Sequence, residues 1–316
     1  DPSPLFRSLT AFAPATVANL GPGFDVLGCA VDGIGDHVTV SLDPSVPRGT
    51  VRIDSITRLS RNPNFNCAGI AAVETMRRLG VRSVGLSLSL EKGLPLGSGL
   101  GSSAASAAAA AAAVNGMFGG ALSHHALVLA GLESEARVSG RHADNIAPAI
   151  MGGFVLIRGY QPLDLHRLEF PDHKELFFVL ASPEFEAPTK KMREALPREV
   201  AMAEVVHNSA QVAALVAAVL GGDARGVGSA MSADVIVEPR RAPLIPGMAA
   251  VKAAAVKAGA FGCTISGAGP TAVAVTDDEE MGREIGERMV EAFWRDGKLK
   301  AAATVRRLDR VGARVV

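Results

Sequence analysis

The chain has 316 residues, 48% of them hydrophobic, and its 32 lysines and arginines are matched by 32 aspartates and glutamates. Charge so evenly balanced offers no excess for a nucleic acid or an anionic membrane surface, which makes a small ligand the expected partner. Three scattered cysteines, Cys29, Cys67 and Cys263, lack CxxC spacing and argue against a disulfide framework or a structural zinc site.

The length suffices for two domains with a cleft between them. A β-like segment at Ser8–Ala13 leads into a loop dense in glycine and proline, APATVANLGPGFDVLG, at Ala13–Gly28. Strands are expected at Val38–Leu42 and Val51–Ser55, then a helix over Asn66–Leu79 that Gly80 ends. GLSLSLEK, Gly85–Lys92, alternates leucine with serine as a strand with one wet face does. It delivers the chain into GLPLGSGLGSSAAS, Gly93–Ser106, and an alanine-rich helix too short and too weakly apolar to span a bilayer. A second helix, Ser123–Ser139, is followed by GRHADNIAP and a strand at Met151–Ile157. The polar passage Arg158–Lys174 reads as a link, which places the domains at 1–160 and 161–316. Beyond it, strands are expected at Leu176–Ala181, Gly262–Ile265, Thr271–Val275, Thr304–Leu308 and Ala313–Val316. Helices are expected near Val200–Leu220, Met248–Ala258 and Glu279–Arg295. The pattern predicts an α+β fold, with helices covering one face of a mainly antiparallel sheet.

Gly97, Gly99 and Gly101 expose backbone N–H groups with no side chain in the way. The first turn of the following helix adds unpaired N–H groups and partial positive charge, a combination suited to phosphate. The alternative reading is a plain glycine turn into a packed helix. Ser102 and Ser103 stand where a Walker A loop would carry lysine, so a balancing cation must come from elsewhere. Mg²⁺ held by a serine hydroxyl and a distant carboxylate is the simplest source.

Three segments in order, Ala13–Gly28, Gly93–Ser106 and GCTISGAGPTAVAV at Gly262–Val275, resemble the motifs of the GHMP kinases, small-molecule kinases with their own phosphate loop. The resemblance covers nearly the whole chain. It implies an N-terminal nucleotide domain like ribosomal protein S5 and a C-terminal ferredoxin-like α/β sandwich. It also implies ATP on the loop, contacted by Pro95, Gly97, Ser98, Gly99, Leu100, Gly101, Ser102, Ser103 and Ala104, with Asn66 near the adenine. Ser103 and Glu135 are the implied Mg²⁺ ligands; the interval from Glu135 to Asn145 is one residue shorter than is usual, which makes Glu133 the rival. The third motif has Ala268 and Thr271 where serines are often seen, and keeps Gly267, Gly269 and Pro270.

Within the family, ATVANLGPGFDVLG, SGRHADNIAPAIMGGF, APTKKMREALP and VIVEPRRAPLIP resemble the branch that phosphorylates L-homoserine, the step towards threonine. That likeness implies Asn19 and Asp25 at the substrate's amino end, and Arg193 and Arg241, supported by Thr189, at its carboxylate. On residue type alone Asp25 serves equally well as a loop cap, and the arginines read as solvated surface groups. Asn145 is implied to orient the acceptor hydroxyl with no dedicated carboxylate base, in contrast to mevalonate kinase; Asp144 stands beside it. His142 is offered a supporting role, His124 and His125 a helix surface, and Arg240 matches no family position. A homodimer is expected. So is a location in the chloroplast stroma for a plant chain, its transit peptide removed before Asp1, or in the cytoplasm for a bacterial one. Two other readings are a GHMP kinase for another alcohol and a catalytically silent ligand sensor on the same fold, the latter disfavoured by Ser103, Glu135 and Asn145.

Overall fold

The computed structural model describes residues 1–55, 59–138 and 140–316. Much of the loop expected at 13–28 is strand: β1 runs Ser8–Ala18 and β2 runs Leu27–Leu42, paired antiparallel from Ser8↔Ser41 to Ala18↔Gly28. Pro14 is tolerated because the register shifts there, between Pro14 and Ala15, and a bulge does not need the missing N–H. β4 (Leu86–Glu91) pairs antiparallel with β2, and β3 (Val51–Ser55) adds to it in parallel. The passage expected as a link is instead a hairpin, in which β5 (Phe154–Tyr160) joins β2 and β6 (Leu163–Leu168) joins β5. The turn between them lies at 161–162. β6 therefore continues the first sheet.

Helices cover the sheet on one side. α1 (Cys67–Leu79) begins where the Asn66 side chain accepts from the N–H groups of Ala68 and Gly69, and ends at Gly80 with φ 75°. α2 (Ser102–Met117) lies against β1 and β2, and its alanines let α1, α3 (His124–Val138) and α4 (Ile146–Met151) approach closely. Ser139, expected to end α3, lies outside the described residues.

The second sheet has the order β10 (Ala301–Arg307), β7 (Phe177–Pro183), β9 (Ala272–Thr276), β8 (Gly262–Ile265), all antiparallel. Around it stand α5 (Thr189–Glu194), α6 (Met202–Gly221), α7 (Ala224–Met231), α8 (Glu238–Arg241), α9 (Met248–Lys257) and α10 (Glu279–Ala292). Both faces of this sheet are buried, which corrects the expectation of one covered face. Val179, Ala181 and Ala274 pack with Val251 of α9 and Ile285 of α10. Phe178, Leu180, Val273 and Val275 pack with Val219 of α6, Val227 of α7 and the first sheet's Val17, Leu27 and Phe154. A last strand, β11 (Arg314–Val315), returns to the first sheet and pairs with β1.

The halves meet at the third motif. Ser266 donates its hydroxyl to the Gly99 carbonyl at 2.7 Å, and the N–H groups of Thr271 and Gly267 reach the carbonyls of Ser98 and Ala18 at 3.2 and 3.1 Å. Helix α6 stays largely in solvent: Asn208, Leu215, Ala218 and Val219 are its buried residues, and no charged side chain occurs from Asn208 to Gly221. The three cysteines are free thiols, two of them buried.

Candidate active site

The glycine loop is tied down from beneath. Asp36, wholly buried on β2, accepts from the N–H groups of Gly93 and Leu94 at 3.0 and 3.3 Å. The Lys92 ammonium closes on Asp36 and donates to the Ser102 carbonyl, the Ser102 hydroxyl and the Ser106 hydroxyl at 2.8, 2.7 and 3.0 Å. Burial lowers the Lys92 pKa while Asp36 pulls it back up. Lys92 thus supplies a cation under the loop that the sequence reading missed, because it precedes the glycines whereas a Walker lysine follows them. At the end of the loop, Gly101 caps α2 with φ 66° and no side-chain cap, so the first-turn N–H groups of α2 face the cavity. A Cβ on Gly101 would meet the Thr16 hydroxyl at 2.0 Å, and one on Gly99 would meet the Ser266 carbonyl at 2.5 Å.

A cavity of about 500 Å³ opens over this loop. Gly97, Ser98, Gly99, Gly101, Ser102 and Ser103 line it, together with Lys92, Asn66 and Phe65. Pro95, Leu100 and Ala104, expected as nucleotide contacts, are not on its lining. Leu100 and Ala104 are core side chains, and the Leu100 carbonyl is taken by the Thr16 N–H. Asn66 lines the cavity but spends its amide on capping α1 and on the Ser60 carbonyl at 3.0 Å. Ser103 donates to Glu135 at 3.0 Å across the loop. Glu135 is buried on α3, whereas Glu133 faces outward and pairs with Arg141 at 3.0 Å. Among the described residues no group of three or more His, Cys, Asp or Glu side chains is placed to hold a metal. A cation beside Ser103 and Glu135 would draw its other oxygens from phosphate and water, as Mg²⁺ commonly does.

A second, smaller cavity of about 60 Å³ adjoins the first, and Glu135, Asn145 and Thr189 line both. Asn19, Asp25, Asp144, Arg193 and Arg241, scattered through 223 positions of sequence, meet around it. Asn19, Leu20 and Asp25 all have positive φ, a strained backbone held where Asn19 accepts the Asp25 N–H at 3.1 Å and donates to the Gly267 carbonyl at 2.8 Å. Arg193 grips Asp25 with two hydrogen bonds of 2.9 and 3.0 Å, and His142 approaches the same carboxylate at 3.4 Å. Both guanidiniums lie over the Phe24 ring, Arg193 at 5.1 Å and Arg241 at 4.8 Å from its centroid. Arg241 is fixed by the Met192 and Gly267 carbonyls, and its pKa falls to about 10 through burial and then the charge of Arg193. Burial also lowers the His142 pKa. Asp144 is pushed up to about 7 by burial, then by the charges of Asp25 and Glu135. Asn145 accepts the Thr16 hydroxyl at 2.7 Å, which leaves its amide N–H groups for the cavities. Thr189 stands exposed at the start of α5.

Other sequence candidates lie elsewhere. Arg240, His124 and His125 are exposed away from these cavities. Thr271 turns its hydroxyl to Ser182 at 2.7 Å, so the third motif meets the cleft through its backbone and Ala268. Phe24 and Thr16 were invisible as site residues because an apolar ring and a lone threonine in a strand carry no signature of their own. The cleft as a whole sets a glycine loop over a lysine beside a pocket in which two guanidiniums meet Asp25, a charge pattern complementary to an amino acid.

Comparison with known proteins gives the same picture. Residues 66–153 match the GHMP kinases N terminal domain and residues 213–296 the GHMP kinases C terminal domain. The chain is 71% identical over 320 residues to the homoserine kinase of Arabidopsis thaliana, covering all of this chain and 86% of that one. It is 41% identical to the homoserine kinase of Chlorobium phaeovibrioides, covering 98% of this chain and all of the relative. The crystal structure of homoserine kinase from Cytophaga hutchinsonii superposes with a TM-score of 0.92 at 39% identity, covering 99% of each chain.

Proposed function

The chain belongs to the homoserine kinases of the GHMP kinase family, and on that premise we propose that ATP phosphates rest on its glycine loop and that the γ-phosphoryl group passes to the side-chain hydroxyl of L-homoserine. The product is O-phospho-L-homoserine, on the route to threonine. The observation that carries this reading is the position of Asn145 on the lining of both cavities, where a phosphoryl donor and an acceptor would meet.

The backbone N–H groups from Gly97 to Ser103 and the start of α2 bind the phosphates. Ser103 and Glu135, two hard oxygen donors 3.0 Å apart, fit Mg²⁺, which when bound offsets the charge of the triphosphate. Asp25, its backbone set by Asn19, takes the substrate ammonium, and Arg193 and Arg241 take the carboxylate beside Thr189. Thr16 holds the Asn145 carbonyl oxygen, so the Asn145 amide N–H groups orient the acceptor hydroxyl. The proton passes to a phosphate oxygen, since positioning and charge stabilisation supply most of the catalysis in phosphoryl transfer. Lys92 and Asp36 keep the loop in shape from below. The paired arginines and Asp25 favour an amino acid over a simple alcohol. The exposed, uncharged length of α6 supports a homodimer, and the identity to the Arabidopsis relative supports a plant chain located in the stroma.

One assay with several arms tests the reading. Mass spectrometry of reactions containing ATP, Mg²⁺ and L-homoserine, L-serine or L-threonine should find phosphorylated homoserine as the main product. EDTA should abolish it, Glu135→Gln should cut Mg²⁺-dependent turnover strongly, and Glu133→Gln should leave it nearly unchanged. No phosphorylated homoserine, or a preference for another acceptor, would overturn the substrate assignment. Sedimentation equilibrium on the same sample should give the mass of two chains, and organelle fractionation checks the location.

A further inference from the structure

Asp25 and Arg193 grip each other through both carboxylate oxygens and two guanidinium nitrogens. Each is also the partner for one end of the substrate. In such a pair the charge that each group would present to the substrate is already balanced by the other. Space agrees: about 60 Å³ between them holds several water molecules rather than an amino acid. Among the described residues Arg241 makes no ion pair, and the Nε of Arg193 is buried with no hydrogen-bond partner. Of the three acids on the pocket lining, Asp25 is held by Arg193, Glu135 accepts from Ser103 and Asp144 is raised towards its neutral form, so among the described residues Arg241 and the Arg193 Nε face the pocket without a paired anion.

The two partners differ in freedom. Asp25 is fixed by its φ of 60°, by Asn19 on its N–H and by His142 beside its carboxylate. Arg193 rides on the six-residue α5, whose first three residues, Thr189, Lys190 and Lys191, are exposed.

We infer that the Asp25–Arg193 pair stands in for the substrate's own charges, and that homoserine enters by exchanging partners with it. The substrate ammonium takes Asp25, the carboxylate takes Arg193 and Arg241, and α5 shifts to open the room. The inference rests on the homoserine site proposed above and deepens it. Exchange makes the two ends of the substrate interdependent. A ligand with only a carboxylate must break the pair and strand Asp25, and a ligand with only an ammonium must strand Arg193. Selectivity for a zwitterion then resides in the pair itself.

Calorimetric binding to the full chain, saturated with Mg²⁺ and a non-hydrolysable ATP analogue, tests this with three ligands. They are L-homoserine, 4-hydroxybutanoate without the ammonium, and 2-amino-1,4-butanediol without the carboxylate. Asp25→Asn keeps a residue that tolerates positive φ. It should weaken homoserine roughly 10- to 100-fold yet bind 4-hydroxybutanoate roughly fivefold tighter than the parent does, because Arg193 is released. Arg193→Gln should show the mirror result, weaker for homoserine and tighter for the aminodiol, and it carries the test if the first variant fails to fold. If both variants weaken homoserine and neither gains its matched one-charge ligand, the exchange is wrong and the site stands. If neither weakens homoserine, the site assignment itself falls.

Discussion

Asp144 and Asn145 are neighbours in sequence with opposite surroundings. Asn145 is oriented by the Thr16 hydroxyl, while Asp144 is wrapped in protein near two other carboxylates and is raised to about 7. An acid whose folded pKa lies above its unfolded value, about 3.9 for aspartate, stabilises the fold fully below that unfolded value. That contribution is lost as pH rises through about 7. Asp144→Asn should therefore raise the melting temperature relative to the parent by a few degrees more at pH 8 than at pH 5, as thermal melts at both values would read. Equal shifts would show that Asp144 ionises freely. In single-turnover assays the folded Asp144→Asn enzyme should retain transfer, and Asn145→Ala should lower kcat. A loss of about 10² to 10⁴ in Asp144→Asn, the size of general-base catalysis, would instead give the proton to Asp144. Residues carrying charge or an amide inside a motif, such as Asp25, Glu135 and Asn145, were legible in the sequence. Lys92 was not, because its purpose depends on Asp36, which is 56 positions away and reaches it only when β2 and β4 pair.

Elements were legible where periodicity was unmixed. α1, with its asparagine cap and closing glycine, begins at Cys67, one residue after the expected start, and ends at Leu79, as expected. The length of β1 was hidden by Pro14, since a proline ordinarily ends a strand and only the bulge beside it lets pairing continue. β6 was hidden because Asp164, His166 and Arg167 meet solvent on an outer strand, so its composition matches a linker. The junction of loop and helix shows what element geometry demands of one residue. At Gly101 the chain turns with φ 66° against Thr16 and Asn145, whose side-chain oxygens lie 2.0 and 2.9 Å from where a Cβ would be. Gly101→Ala should lose about 1 to 3 kcal/mol of stability through backbone strain. It should also lower kcat by more than tenfold, because the Thr16–Asn145 contact is pushed apart. Thermal melts with steady-state kinetics check both, and an alanine enzyme with unchanged kcat would show that the contact has no part in transfer.

For the whole molecule, the notable connection is the return of β11 to the first sheet. Ala11 and Phe12 of β1 pair with Val315 and Arg314, the Arg314 guanidinium lies 4.8 Å from the Phe12 ring centroid, and Asp309 turns the chain by accepting from Val311 and Gly312. Removing residues 311–316 should lower the melting temperature and promote aggregation, although these residues are absent from both cavity linings. Light scattering during a thermal melt would show it, and a truncated chain melting like the parent would mean that β11 is dispensable. The pairing also bears on synthesis. Without β11, one edge of β1 has unpaired backbone groups, and such an edge is an invitation to foreign strands. A nascent chain on the ribosome carries that open edge through the making of the entire second sheet. The half that carries the glycine loop is begun first and finished last.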